Sequence, residues 1–269
     1  MRRLPGQALR LGVDHDSLAL VRTDGWFGKR HAVVAELRIG GAHDVQALAS
    51  SLRALLADAQ VAGWPLRVVL ADELARMWQV APPPQASSPA DLEAAAVMRY
   101  AGLFGAPPGG WTIAADWHAA QPFLAAALPA ALLDTLAQCA REARCTLVEV
   151  VPQFVAALNG WRKLRRPGAW FGLVHGQVLS LAAYDGAQLA ALRTAVVPSG
   201  AGRDWLESHV AREALRLGIG RPERLQVCGT APRSWASHER RLKFACTLLG
   251  GDAPAASAAV RLACTGSEA

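Results

Sequence analysis

The chain has 269 residues, a hydrophobic share of 52% and a charged share of 19%. Those proportions exclude a disordered chain and leave room for two packed cores or one large one. The net charge of +6 and a sequence pI near 9.5 come mostly from arginine, with the densest run at Arg162-Lys163-Leu164-Arg165-Arg166 and a smaller one at Arg240-Arg241-Leu242-Lys243.

The N-terminal MRRLPGQALRLG carries charge but no apolar core before Asp14, so no secretory signal is expected. Beyond it, RLGVDHDSLALVR reads as two apolar strands around the polar tip Asp14-His15-Asp16. HAVVAELRI is a third strand, reached through a turn that begins at Thr23-Asp24-Gly25. In HDVQALASSLRALLADAQVAG, Val45, Leu48, Ala49, Leu52, Leu55 and Leu56 recur at helical spacing, and Gly63 closes the segment. LRVVLAD is the next strand, followed by the proline-rich break APPPQASSP at 81–89.

Ser88 is placed to N-cap a second helix, DLEAAAVMRYAGLFG, with Pro89 at its first position. WTIAADW and PFLAAALP read as paired strands, AALLDTLAQCAREAR as a helix, CTLVEVVP as a strand and QFVAALNGW as a short helix. After the basic stretch, AWFGLVHGQVLSLAAYDGAQLAALRTAVV holds three strands separated by His175-Gly176 and Asp185-Gly186. PSGAGRDWLESHVAREALRLG opens on a glycine turn and runs as a helix; RLQVCGT is a strand, a final helix is expected near SHERRLKFACTLLGG, and the small-residue tail is expected to fray. Residues 11–71 and 169–229 therefore share one order: strand hairpin, strand, helix, strand.

Several sites can be weighed from these residues alone. Strand alternation predicts that His15 does not readily join both Asp14 and Asp16 on one metal, which favours a polar hairpin tip and no metal site. His175 before glycine reads as a turn residue. The five cysteines (139, 145, 228, 246 and 264) lack CxxC spacing and read as reduced thiols without zinc. Ser199-Gly200-Ala201-Gly202 could cradle a phosphate, but no Gly-Lys-Ser/Thr follows, so it reads first as a helix-entry turn. The basic run is flanked by Trp161 and Trp170; a solvated linker touching anionic lipid is preferred to a nucleic-acid groove.

The duplicated order resembles the actin-like fold, an α/β (ribonuclease H-like) arrangement of duplicated mixed-sheet domains. The stretch from WTIAADW to FVAALNGW, and VVPSGAGRDWLESHVAREAL after it, is similar to the PilM, GspL and MshI group of pilus and type II secretion assembly proteins. The resemblance implies an N-terminal half at 9–160 with an inserted subdomain at about 72–150, a C-terminal half at 161–252, and a flexible tail at 253–269.

It also implies loop roles. LGVDHDSLALVR stands at the first phosphate loop, GLVHGQVLSLAAYDG at the second and LQVCGTAP at the adenosine loop. Each departs from the expected pattern. His15-Asp16 replaces a glycine turn after Asp14, the second loop lacks an acid, and Cys228-Gly229-Thr230 has one glycine where two are expected. No catalytic residue is assigned. Were nucleotide to bind, as ATP with magnesium, Asp14, Gly200, Gly202 and Gly229 would touch it.

The resemblance thus implies a non-catalytic cytoplasmic scaffold, peripheral at the inner membrane, that binds the cytoplasmic segment of a PilN- or GspM-type partner. The alternatives are an active ATPase or kinase of the same fold, and a basic nucleic-acid-binding protein.

Overall fold

The computed structural model describes residues 6–24, 30–42, 44–236, 244–250 and 256–267. The first half opens with β1 (Gln7–Val13), β2 (Ser17–Asp24), β3 (Arg30–Arg38), α1 (Val45–Asp58) and β4 (Pro65–Leu70). A 3-10 turn at Asp72–Leu74 then leads to β5 (Arg76–Val80), α2 (Pro89–Phe104), β6 (Trp111–Ala115) and β7 (Phe123–Pro129). The chain returns through α3 (Ala130–Glu142), β8 (Thr146–Pro152) and α4 (Gln153–Gly160). The second half is β9 (Trp170–His175), β10 (Val178–Asp185), β11 (Gln188–Val196), α5 (Arg203–Leu217), β12 (Arg224–Gly229) and β13 (Ala245–Leu248), with α6 (Ala258–Cys264) last.

Two five-stranded mixed sheets have corresponding orders, β3-β2-β1-β4-β8 and β11-β10-β9-β12-β13. In each, the opening strands are antiparallel and the strand after the crossover helix joins parallel to the first. β5, β7 and β6 form a separate antiparallel sheet against α2, around Trp78, Tyr100 and Phe123. Ser88 caps α2 as expected, and Asp91 completes a capping box by accepting from the Ser88 amide at 2.9 Å.

Strand alternation gives each central strand two buried faces. On β1, Leu9, Leu11 and Val13 enter the core beneath α1 and α3. Arg10 and Gly12 face the other way, onto α6. In the second half Trp170 and Val174 lie in the core with α5 residues Leu206 and Val210, whereas Phe171 and Leu173 join α4 residues Phe154 and Ala157. α4 also turns Ala156 towards Val69 and Ala71 of the first half, so one short helix is packed by both sheets.

Two expectations give way here. Residues 245–248, assigned to a final helix, are the edge strand β13, with Cys246 fully buried and paired parallel to β12. Tertiary pairing outweighs the local helical tendency; the preceding charged residues 237–243 lie outside the described residues, as does most of the turn after Thr23-Asp24. The second correction concerns the tail. Residues 256–267 are not frayed, because α6 packs Ala259, Val260 and Ala263 against Ala19 and Val21 of β2.

Arg10 explains why α6 stays. Its buried guanidinium donates Nε–H to the Ala263 carbonyl and Nη2–H to that of Thr265, satisfying the C-terminal end of the helix. Gly12 lets the helix approach: a Cβ there would stand 2.0 Å from the Ala259 carbonyl oxygen. Gly12→Ala is expected to cost about 2 kcal/mol through overpacking, measured by denaturant unfolding. In a double-mutant cycle, most of that cost should vanish in a chain truncated before Ala256.

Candidate functional site

The two hairpin turns at Asp14-His15-Asp16 and His175-Gly176-Gln177 face each other across a cleft of about 600 Å³. Asp72 and Glu73 form its floor, Arg76, Met77 and Phe104 come from the inserted subdomain, and Arg261 comes from α6. The β1–β2 turn is held by its own backbone, with the Asp14 amide donating to the Ser17 carbonyl at 2.9 Å. It is also held from beneath, where the amides of Ile39 and Ala42 donate to the carbonyls of Asp16 and His15 at 2.8 and 2.7 Å.

Asp14 is buried, and its Oδ1 accepts the His15 amide at 2.9 Å. His175 Nε2 approaches the same oxygen to 3.7 Å, bringing together two side chains from opposite halves. Burial pushes the Asp14 carboxyl upward, but His175 and the His15 amide outweigh it, and the net displacement is below the ordinary value.

Asp72 behaves in the opposite way. Its Oδ1 accepts the Phe154 amide in the first turn of α4 at 2.8 Å, and its Oδ2 accepts the Ser180 hydroxyl from β10 at 3.2 Å. The residue touches the cleft and is half-buried, but its carboxylate end is enclosed by these partners. Burial is the largest influence, and despite the hydrogen bonds it raises the pKa to about 6.

The expectation that His15 stands apart from both acids is corrected. The three residues lie in a turn rather than along a strand, and one potential ligand atom from each of Asp14, His15 and Asp16 falls within 4.8 Å of the others. His15 Nδ1 is 3.9 Å from Asp14, 3.7 Å from Asp16 and 3.9 Å from Glu73. Metal–oxygen bonds of about 2.0–2.6 Å place neighbouring ligands at comparable separations. Asp16, however, is already engaged by Ser17 Oγ at 3.1 Å and Arg38 Nη1 at 3.2 Å.

The four residues singled out for nucleotide are dispersed. Asp14 lines the large cleft; Gly200 lines a smaller cavity of about 270 Å³ with Ser199 and Thr230, which adjoins the first at Gly176 and Gln177. Gly202 caps α5. Gly229 has φ +83° and lies so close to β9 that a Cβ would sit 2.1 Å from the Val174 carbonyl oxygen, so its lack of a side chain serves packing. Sequence reasoning missed Asp72 and the reach of His175. The one available signal was the repeat itself, since equivalent hairpins in two facing halves bring their turns to the same cleft.

Comparison with solved structures places this geometry. The cytoplasmic domain of EpsL, an inner membrane component of the type II secretion system of Vibrio cholerae, superposes with a TM-score of 0.57 at 13% identity, over 95% of this chain and 92% of that one. A Bacteroides thetaiotaomicron protein with an actin-like ATPase fold and unknown function gives 0.58 at 9% identity, over 91% of each chain. The chain has the actin-like fold. A chain of the PilM-PilN type IV pilus biogenesis complex gives 0.57 at 17% identity, over 90% and 88%. No family model and no curated protein matches the sequence.

The resemblance sets the two phosphate loops at the β1–β2 and β9–β10 turns, and the expected glycines would let backbone amides meet phosphates there. Here the first turn presents three polar side chains and two negative charges, and the second presents His175 towards Asp14.

Asp72 gives a pH signature. Its folded-state pKa of about 6 lies above the unfolded value near 3.8, so the native state binds the extra proton and stability falls as pH rises between those values. Asp72→Asn keeps an acceptor for the Phe154 amide and removes that slope. At pH 8 it is expected to be more stable than the parent by on the order of 2 kcal/mol, after allowance for partial solvent contact, read from urea unfolding across pH.

Proposed function

We propose that the chain is a non-catalytic scaffold of a type IV pilus or type II secretion-like assembly platform, holding the cytoplasmic segment of an inner-membrane partner of the PilN or GspM type. The observation that carries this reading is the approach of His175 to Asp14 at 3.7 Å, across the position where an actin-like nucleotide's phosphates would lie. A triphosphate entering there meets the buried Asp14 and the Asp16 and Glu73 carboxylates, with His15 in place of a glycine. Repulsion between like charges in a partly desolvated cleft is strong. Two structurally similar proteins, an inner membrane component of a secretion system and a chain of a pilus biogenesis complex, supply the setting. No helix among the described residues is long and apolar enough to cross a membrane.

The rival reading is an ATP-dependent enzyme of the same fold. What favours it is the cleft itself, which keeps about 600 Å³ open with Asp14 and Asp72 on its wall. Titration calorimetry with ATP and magnesium separates the two. The scaffold reading expects no micromolar binding; micromolar affinity that Asp14→Ala abolishes would overturn it. In parallel, immobilised cytoplasmic segments of single-span inner-membrane proteins from the same organism's pilus and secretion loci are expected to retain the full chain. Retention by none of them would count against the scaffold.

A further inference from the structure

β9 ends at the cleft and β12 and β13 run parallel to it, so the N-terminal ends of these strands form the opposite end of the second half. β9 is six residues long, which sets that end about 20 Å from the cleft. Three segments meet there. The α4–β9 loop brings Arg162, Lys163 and Arg166, the α5–β12 loop brings Arg221, and Arg224 is the first residue of β12, all five exposed. The β10–β11 turn is brought beside them by the antiparallel pairing of β10 with β9, and it contributes exposed Asp185; Glu223 is the other exposed acid in these loops. Five cations against two acids leave the end strongly positive.

Its backbone is fixed rather than loosely solvated. The buried Gln226 clamps the basic loop, accepting from the Arg166 amide at 2.8 Å and donating to the Leu164 carbonyl at 3.0 Å. Arg165 turns inward, donating to the Tyr184 hydroxyl at 2.7 Å. Leu164, between these cations, is 55% exposed, and Leu215 in the last turn of α5 is 83% exposed at the same end.

The aromatic residues discriminate between polyanions. Single-stranded nucleic acid calls for exposed rings on which bases stack. Trp161 is 6% exposed and Trp170 fully buried, so neither flank of the basic loop offers one. Cations around protruding aliphatic side chains instead match an anionic bilayer, whose headgroups attract Lys and Arg while apolar groups enter the acyl boundary.

We propose that this end of the second half docks on an anionic lipid bilayer, with the cations among the headgroups and Leu164 and Leu215 reaching below them. The inference deepens the scaffold reading and rests on it for where such a bilayer is met. It orients the molecule with its cleft facing away from the membrane.

The test is co-sedimentation of the full chain with vesicles of phosphatidylcholine alone and of phosphatidylcholine mixed with phosphatidylglycerol. Binding only to the mixed vesicles, weakening with salt, is expected. Each surface cation contributes roughly a fivefold gain in partition, so loss of three is worth about a hundredfold, and the reversals Arg162→Glu, Lys163→Glu and Arg166→Glu should lower binding by at least that much while leaving the melting temperature in place. Should that variant fail to fold, Arg221→Glu with Arg224→Glu is the substitute. Leu164→Ser should weaken binding at every salt concentration without changing its salt dependence. No binding to mixed vesicles, or binding that survives charge reversal, overturns the proposal. So does tighter binding to a single-stranded DNA probe than to vesicles at the same salt. Vesicle failure with intact capture of the partner segment removes only the lipid surface; the reverse pattern removes the scaffold reading.

Discussion

The Asp72 carboxylate is the constraint on which the arrangement of the two halves turns. One oxygen meets the start of α4 and the other meets β10, so a single side chain at the end of β4 ties the first sheet, the shared helix and the second sheet together. A carboxylate at a helix N-terminus is favoured by the unpaired amides and the helix dipole. Its enclosure works against the charge, and the raised pKa records that burial prevails over these partners. The cleft is therefore walled by two acids with opposite displacements: Asp14 held ionised by a histidine, Asp72 inclined to keep its proton. That division follows from surroundings, since the two residues are chemically identical.

The paired turns show how a duplicated fold brings distant side chains to one place. Duplication supplies two hairpins, and the sheets bring their tips within reach of each other whatever residues occupy them. At the first tip the backbone is still held tightly by the amides of Ile39 and Ala42, so its shape does not depend on a glycine-bearing sequence. The side chains are free to change, and here they converge on one another. The smaller cavity at Gly200 and Thr230 adjoins the cleft at Gly176 and Gln177, so the two form one continuous recess beside them.

Much of the fold was legible because local and tertiary preferences agree. The heptad-like leucines of α1, the Ser88–Asp91 capping box and the glycine turns after His175 and Asp185 each specify an element without help from distant residues. Two of the failures share one cause. β13 is a strand because β12 offers an open edge, and α6 is ordered because Arg10 and Gly12 were shaped for it; neither fact is visible within the segment concerned. β5 was obscured by the prolines that follow it. In the site, Asp14 was identifiable from the first hairpin alone. Its contact with His175 spans 161 positions, as the residue numbers show, and periodicity carries no information at that range. The strand rule misjudged His15 because it was applied to a turn.

α6 belongs by packing to the half that the ribosome finishes first, yet it is made after the whole of the second half. The hydrogen bond from Arg10 to Ala263 closes a sequence separation of 253 residues. Until then β1 exposes Arg10 and the bare backbone at Gly12, and β2 exposes Ala19 and Val21. The outer layer of the first half is thus missing throughout synthesis of the second, a condition that invites premature association of nascent chains. Docking of α6 thus completes the first core only after the second half has been made, and removal of residues 256–267 costs part of that core rather than a dispensable extension.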